Sequence, residues 1–412
     1  MKNNRSEYIC KNGLKVIHIY KPKFKESYVG IGVNYGSRDI NFYAENEKYK
    51  SPKGLAHFIE HKLFQMPEGD AFSQFSQYHA SANAYTDTEK TIYYFTTTME
   101  LYPPLELLLK MYFTPYFPKE DVEKEKGIIL SEIKMHEDDI QSKFFYQTLK
   151  ALYPNSAIAI DATGTVQGVK KTTSDDLFKA YQEFYTTDNS YMVVVSSEPK
   201  EKIFPFLEET LASLKCLRGL PRRIEKVSHK VTAPILKYFA KTEQISACLA
   251  IRLAENNSNS FLCNSIIGIL DSLFSPMAKY YKTLYKQNAF YADIEYSIVS
   301  LRDTSYCLIS TTSNHPELFL ELIENKLRNL KIQDIDDNIT ELYQKHLKAK
   351  SILIEDEIST LGEESLIYAL EGSNYTNVIE EGLSLNKESL CAYLPLFHNA
   401  TYVKAICKKS EK

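Results

Sequence analysis

The stretch Gly54-Leu55-Ala56-His57-Phe58-Ile59-Glu60-His61-Lys62-Leu63-Phe64 constrains this chain more than any other. Wound into a helix, His57, Glu60 and His61 share one sector about 100° wide, because residues three and four apart are helical neighbours. Leu55, Ile59 and Leu63 fall on the far side, which suits a core. Two imidazoles one turn apart can grip one metal ion, and the carboxylate beside them sits where a water on that metal would be. The spacing points to hydrolytic zinc chemistry on one face of a half-buried helix.

The length of 412 residues allows two domains of roughly 200 residues each. A net charge of −4 gives no electrostatic case for nucleic acid, and no apolar run approaches a membrane span of about 18 residues. Met1 to Glu7 leads into a strand-like pattern without an apolar segment of signal-peptide length. The seven cysteines (10, 216, 248, 263, 307, 391 and 407) are scattered and never spaced Cys-x-x-Cys. They read as core hydrophobes in a reducing compartment, so the chain is expected to be cytoplasmic.

Periodicity and turn residues predict a hairpin over 8–20 around Asn12-Gly13, a buried strand over 28–35, and a polar loop over 41–53 leading to the motif helix. Helices follow over 71–78, 100–113, 119–149, 174–184 and 200–214, with strands over 91–96 and 191–195. The second half predicts strands over 247–252, 291–299 and 305–311. Its helices cover 257–281 (broken near Ser275-Pro276), 317–329, 337–354 and 363–370. The fold class is α+β: two similar domains, each a mostly antiparallel sheet packed with helices. The expected boundaries are 1–215, a linker over 216–232, and 233–412. The second half has no His-x-x-Glu-His, so it is not a second copy of the metal site.

A catalytic zinc wants three protein ligands and one open position. Glu125, Ile129, Glu132 and His136 recur at i, i+4, i+7 and i+11 and share a helix face. A half-buried acid on that face needs a partner for its charge, and zinc is such a partner. Spacing alone leaves Glu125, Glu132 and His136 as alternatives.

Taken together these segments resemble the pitrilysin/insulinase family of zinc metallopeptidases, the inverzincins, in particular its short bacterial processing-peptidase-like members. The resemblance rests on the inverted motif at 57–61, on Ala82-Asn83-Ala84-Tyr85-Thr86 followed by Thr91-Ile92-Tyr93, and on the glutamate pair Glu125 and Glu132. Asp176-Leu177 to Phe184-Tyr185 matches a later family helix. The resemblance implies Zn2+ held by His57, His61 and Glu132, with Glu60 as general base and Glu125 steadying a ligand histidine. It also implies that Ala82, Asn83, Ala84 and Tyr85 lie on an edge strand that pairs with an extended peptide substrate.

One departure from the family pattern is informative. Family members that bind substrate with their second half carry an arginine and a tyrosine where this chain has Tyr285 and Ala292, with Tyr291 beside the latter. Tyr281, Tyr285 and Tyr291 read as packing residues. The resemblance therefore implies a two-chain assembly in which a second family chain supplies the arginine–tyrosine pair: a heterodimer, else a homodimer. The expected function is cleavage of short or unfolded peptides, as in processing a small precursor peptide. The alternatives are general oligopeptide degradation and a non-catalytic scaffold role.

Overall fold

A computed structural model describes residues 4–224, 234–253 and 260–410. The chain forms two compact units. The first is Met1–Met135, Ile160–Lys226 and Leu353–Tyr375; the second is His136–Ala159, Val227–Ile352 and Thr376–Lys412.

The first unit is built on a six-stranded sheet of β1 (Arg5–Ile9), β2 (Lys15–Tyr20), β3 (Ser27–Val33), β4 (Ala80–Thr86), β5 (Thr91–Thr97) and β6 (Ser190–Ser196). Their order is β1-β2-β6-β3-β5-β4, and every pair except β6 with β2 is antiparallel. Strand β3 is buried along its whole length, as its unbroken apolar sequence requires. Alternate residues divide between its faces. Val29, Ile31 and Val33 enter a core with Leu55, Phe58 and Ile59 of the motif helix α1 (Leu55–Leu63). Tyr28, Gly30 and Gly32 face a helix from much later in the chain, Ile358–Leu370. That helix lies close because Gly362 has no side chain: a Cβ there would stand 2.1 Å from the Tyr28 ring.

The second unit holds a five-stranded sheet of β7 (Ile235–Ala240), β8 (Ser246–Leu253), β9 (Glu295–Leu301), β10 (Thr304–Thr312) and β11 (Thr401–Lys409), in the order β7-β11-β8-β10-β9. Here the first strand runs parallel to the last, as β2 does to β6, and the other pairs are antiparallel. Strand for strand this repeats β2-β6-β3-β5-β4, so both units share one topology. The helix Ser260–Phe274, which follows β8 as α1 follows β3, carries no histidine.

Several elements differ from expectation. The helix predicted over 119–149 is two helices, α2 (Lys119–Asp138) and α3 (Ile140–Leu152). Asp139 is extended between them and its carboxylate accepts the Ser142 N–H, capping α3. Helix α3 packs Phe144, Leu149 and Leu152 with the sheet residues of the second unit. The units are therefore not the two contiguous stretches divided at 216–232, since 136–159 and 353–375 each pack with the other half's sheet. The expected linker is tied down over its described part: Arg218, Arg222 and Arg223 pair with Asp188, Glu183 and Asp39. Its residues 225–232 lie outside the described residues, as do Met1 to Asn3 and the start of the helix expected from 257. The polar loop over 41–53 contains a hairpin, Asn41–Ala44 with Glu47–Lys50, turned by Glu45 and Asn46 at positive φ.

Among the described residues no single helix is long and apolar enough to cross a membrane. One bent pair, Phe261–Phe274 with Lys279–Lys286, has the composition, and its apolar residues fill the core of the second unit.

The start of α1 depends on Gly54. Its φ is +95°, and a Cβ there would lie 2.5 Å from the Thr163 carbonyl oxygen. Gly54→Ala is expected to destabilise the fold by about 1–3 kcal/mol, read as a lowered denaturation midpoint. An unchanged midpoint would mean that the 163–164 loop yields freely.

Candidate metal centre

Helix α1 has no side-chain cap and is buried almost all round, so its polar residues are committed to the interior. His57 and Glu60 are 7% and 8% exposed. Such burial demands partners. Helix α2 supplies one for the histidines: His57 Nε2 lies 3.5 Å from Glu132 Oε1, and His61 Nε2 lies 3.5 Å from Glu132 Oε2. One donor atom from each of His57, His61 and Glu132 falls within 4.8 Å of the others, the one such group among the described residues. Tetrahedral zinc with bonds of about 2.0–2.1 Å sets neighbouring donors about 3.3 Å apart. Two imidazoles and one carboxylate at these separations fit zinc with little adjustment.

Glu125, two turns before Glu132, accepts from His61 Nδ1 at 2.9 Å. That contact fixes the ring and leaves Nε2 facing Glu132, the arrangement that steadies a metal-binding imidazole. His136 takes no part in the group. Burial pushes the His61 ring pKa down, but Glu125, Glu132 and Glu60 outweigh it and lift it to about 9. In the zinc-free protein, burial pushes the Glu60 carboxyl up to about 7. Against that, the Thr86 hydroxyl and His61 pull it down, while Glu132 pushes it further up.

A cavity of about 680 Å³ borders this group, with Glu60, His61, Phe64, Phe72, Asn83 and Ala84 in its wall. Strand β4, which carries Ala82, Asn83, Ala84 and Tyr85, is the outermost strand of its sheet. The Asn83 side-chain oxygen accepts the Ala84 N–H at 2.8 Å. Burial and the nearby Glu363 carboxylate push the Tyr85 hydroxyl pKa up. Sequence reasoning missed the contact from Thr86, whose hydroxyl donates to Glu60 Oε2 at 2.7 Å. No local pattern signals a pair 26 residues apart. In the second unit Tyr281 packs edge-on against Phe290, as expected of a packing residue. Tyr285 and Tyr291 are instead 64% and 53% exposed, which corrects the expectation for those two.

Family models for insulinase (peptidase family M16) and for the M16 inactive domain match residues 15–165 and 171–347. The chain belongs to the insulinase family of peptidases, M16. The first match contains His57, Glu60, His61, Glu125 and Glu132, and the second begins after them. A solved M16-like structure from Alicyclobacillus acidocaldarius superposes with a TM-score of 0.91 at 25% identity, covering 100% of this chain and 99% of the other. An uncharacterized zinc protease of Bacillus subtilis, YmfH, is 37% identical over 200 residues, 48% of this chain and 47% of that relative. The chain thus matches about half the length of the first curated relatives. A second B. subtilis zinc protease, YmxG, aligns over 98% of both chains at 22% identity.

Proposed function

We propose that this M16 chain is a zinc-dependent endopeptidase acting on short or unfolded peptides, and that it is the zinc-bearing subunit of a two-chain assembly that processes a small precursor peptide. The observation that carries the reading is the convergence of His57, His61 and Glu132, with Glu125 on His61 and Glu60 beside them. A bound zinc supplies Lewis-acid polarisation of the scissile carbonyl and lowers the pKa of water towards about 7. Glu60, desolvated beside the two histidines, takes the proton of the attacking water and passes it to the departing amine. The peptide lies extended along β4 beside Ala82, Asn83, Ala84 and Tyr85, so backbone pairing gives affinity with little sequence demand. The cavity walled by Phe64 and Phe72 takes a substrate side chain.

The two-chain reading is supported by Tyr285 and Ala292, which stand where an arginine and a tyrosine would hold substrate. It predicts that the purified chain binds zinc but cleaves peptides weakly, and that an M16 chain carrying the arginine–tyrosine pair raises kcat/KM at least tenfold. Full activity of the chain alone removes the heterodimer. Absence of cleavage with zinc and partner both present removes the peptidase reading. The seven free thiols support a reducing, cytoplasmic setting.

A further inference from the structure

Thr86 closes the β4–β5 hairpin, opposite Thr91. A cross-strand threonine pair at a hairpin end is ordinary. This one makes a third contact. The Thr86 hydroxyl reaches Glu60 Oε2 at 2.7 Å and stands 3.2 Å from the Thr91 hydroxyl, which itself donates to the Tyr35 carbonyl at 2.8 Å. Thr91 is fully buried, so its hydrogen bond to Tyr35 has no water to replace it.

From these contacts, and resting on the peptidase reading above, we propose that Thr86 is a positioning residue that holds the Glu60 carboxylate at the end of the substrate-pairing strand. Thr91 gives its hydrogen to Tyr35, so the Thr86 hydroxyl donates to the Glu60 carboxylate, and its 3.2 Å contact with Thr91 fixes where that hydroxyl stands. The strand that receives the peptide and the group that orients the base are thus one rigid piece.

Thr86→Val keeps the shape and removes the hydroxyl; Thr86→Ser keeps the hydroxyl. Thr86→Val is expected to lower kcat about 10- to 100-fold, with KM within about twofold and zinc content unchanged. Thr86→Ser restores most of the loss. In crystals of the zinc-free proteins, the Glu60 carboxylate moves by more than about 0.5 Å in Thr86→Val and stays in place in Thr86→Ser. Wild-type kcat in Thr86→Val, an unmoved Glu60, an equal loss in Thr86→Ser, or loss of zinc from Thr86→Val each overturn the proposal. Glu60→Gln runs alongside. If wild type and Glu60→Gln are equally inert with the partner present, the peptidase reading fails, and the crystal comparison still decides whether Thr86 positions Glu60.

Discussion

Glu60→Gln is expected to lower peptide cleavage by about 10²- to 10⁴-fold while zinc content and fold are retained. The amide has nearly the shape of the carboxyl and can still accept the Thr86 hydrogen, so the surroundings of α1 stay packed. What it cannot do is take a proton from water. Stability supplies an independent check whose sign follows from burial. Burial raises the Glu60 carboxyl from its ordinary 4.5 to about 7, so the folded, zinc-free protein prefers the protonated form. As pH climbs through that window the fold loses stability, because the unfolded chain ionises this group more easily. At pH 8 the zinc-free Gln variant, which has no charge to bury, should therefore melt above the zinc-free wild type. Cleavage at the wild-type rate by Glu60→Gln would remove Glu60 as the base. A drop in its melting temperature at pH 8 would mean that the carboxylate is structural.

The parts of this arrangement legible in the sequence are those that repeat locally. His57, Glu60 and His61 share a helix face by spacing alone, and α1 presents them so. Glu125, Glu132 and His136 also share a face, but periodicity says only that they lie side by side. Which of them meets the histidines depends on how α2 crosses α1, a non-local fact; resemblance chose Glu132, and the geometry groups Glu132 with both rings. The break after Asp138 had a local signal, since Asp139 precedes Ser142 by the three residues of an N-cap. Continuous helical periodicity on either side concealed it. The hairpin at 41–50 was hidden because its strands are only four residues each and the second, Glu47–Lys50, is mostly charged. Least legible was the packing of Ile358–Leu370 on the first sheet. The glycines that admit it, at 30, 32 and 362, lie far apart in sequence and mean nothing until the two surfaces meet. The path through α3 into the second unit is hidden for the same reason, because a helix's sequence shows its apolar face and not whose sheet receives it.

Glu132→Ala is expected to abolish tight zinc binding, a loss larger than the roughly 10- to 100-fold that Glu125→Ala should cost through the His61 ring alone. The proton balance distinguishes a ligand from a bystander. In the zinc-free protein His61 faces Glu125 with Nδ1 and Glu132 with Nε2, so both nitrogens keep their hydrogens and the ring stays charged up to about pH 9. A nitrogen that binds a metal cannot keep its proton. Zinc uptake at pH 8 must therefore expel about one proton, seen as heats that vary with the ionisation enthalpy of the buffer. An unperturbed imidazole, already neutral at that pH, would expel almost none. Affinity should climb about tenfold per pH unit towards pH 9 and then level off. The same charge makes the zinc-free fold lose stability as pH rises from about 6.5 to 9, because the unfolded ring gives up its proton first. Glu132→Ala removes one of the two carboxylates on the ring, so its proton release at pH 8 should shrink along with its zinc binding. Zinc held at wild-type affinity by Glu132→Ala would exclude Glu132 as a ligand. Zinc uptake by the wild type without proton release at pH 8 would mean that His61 is not one either.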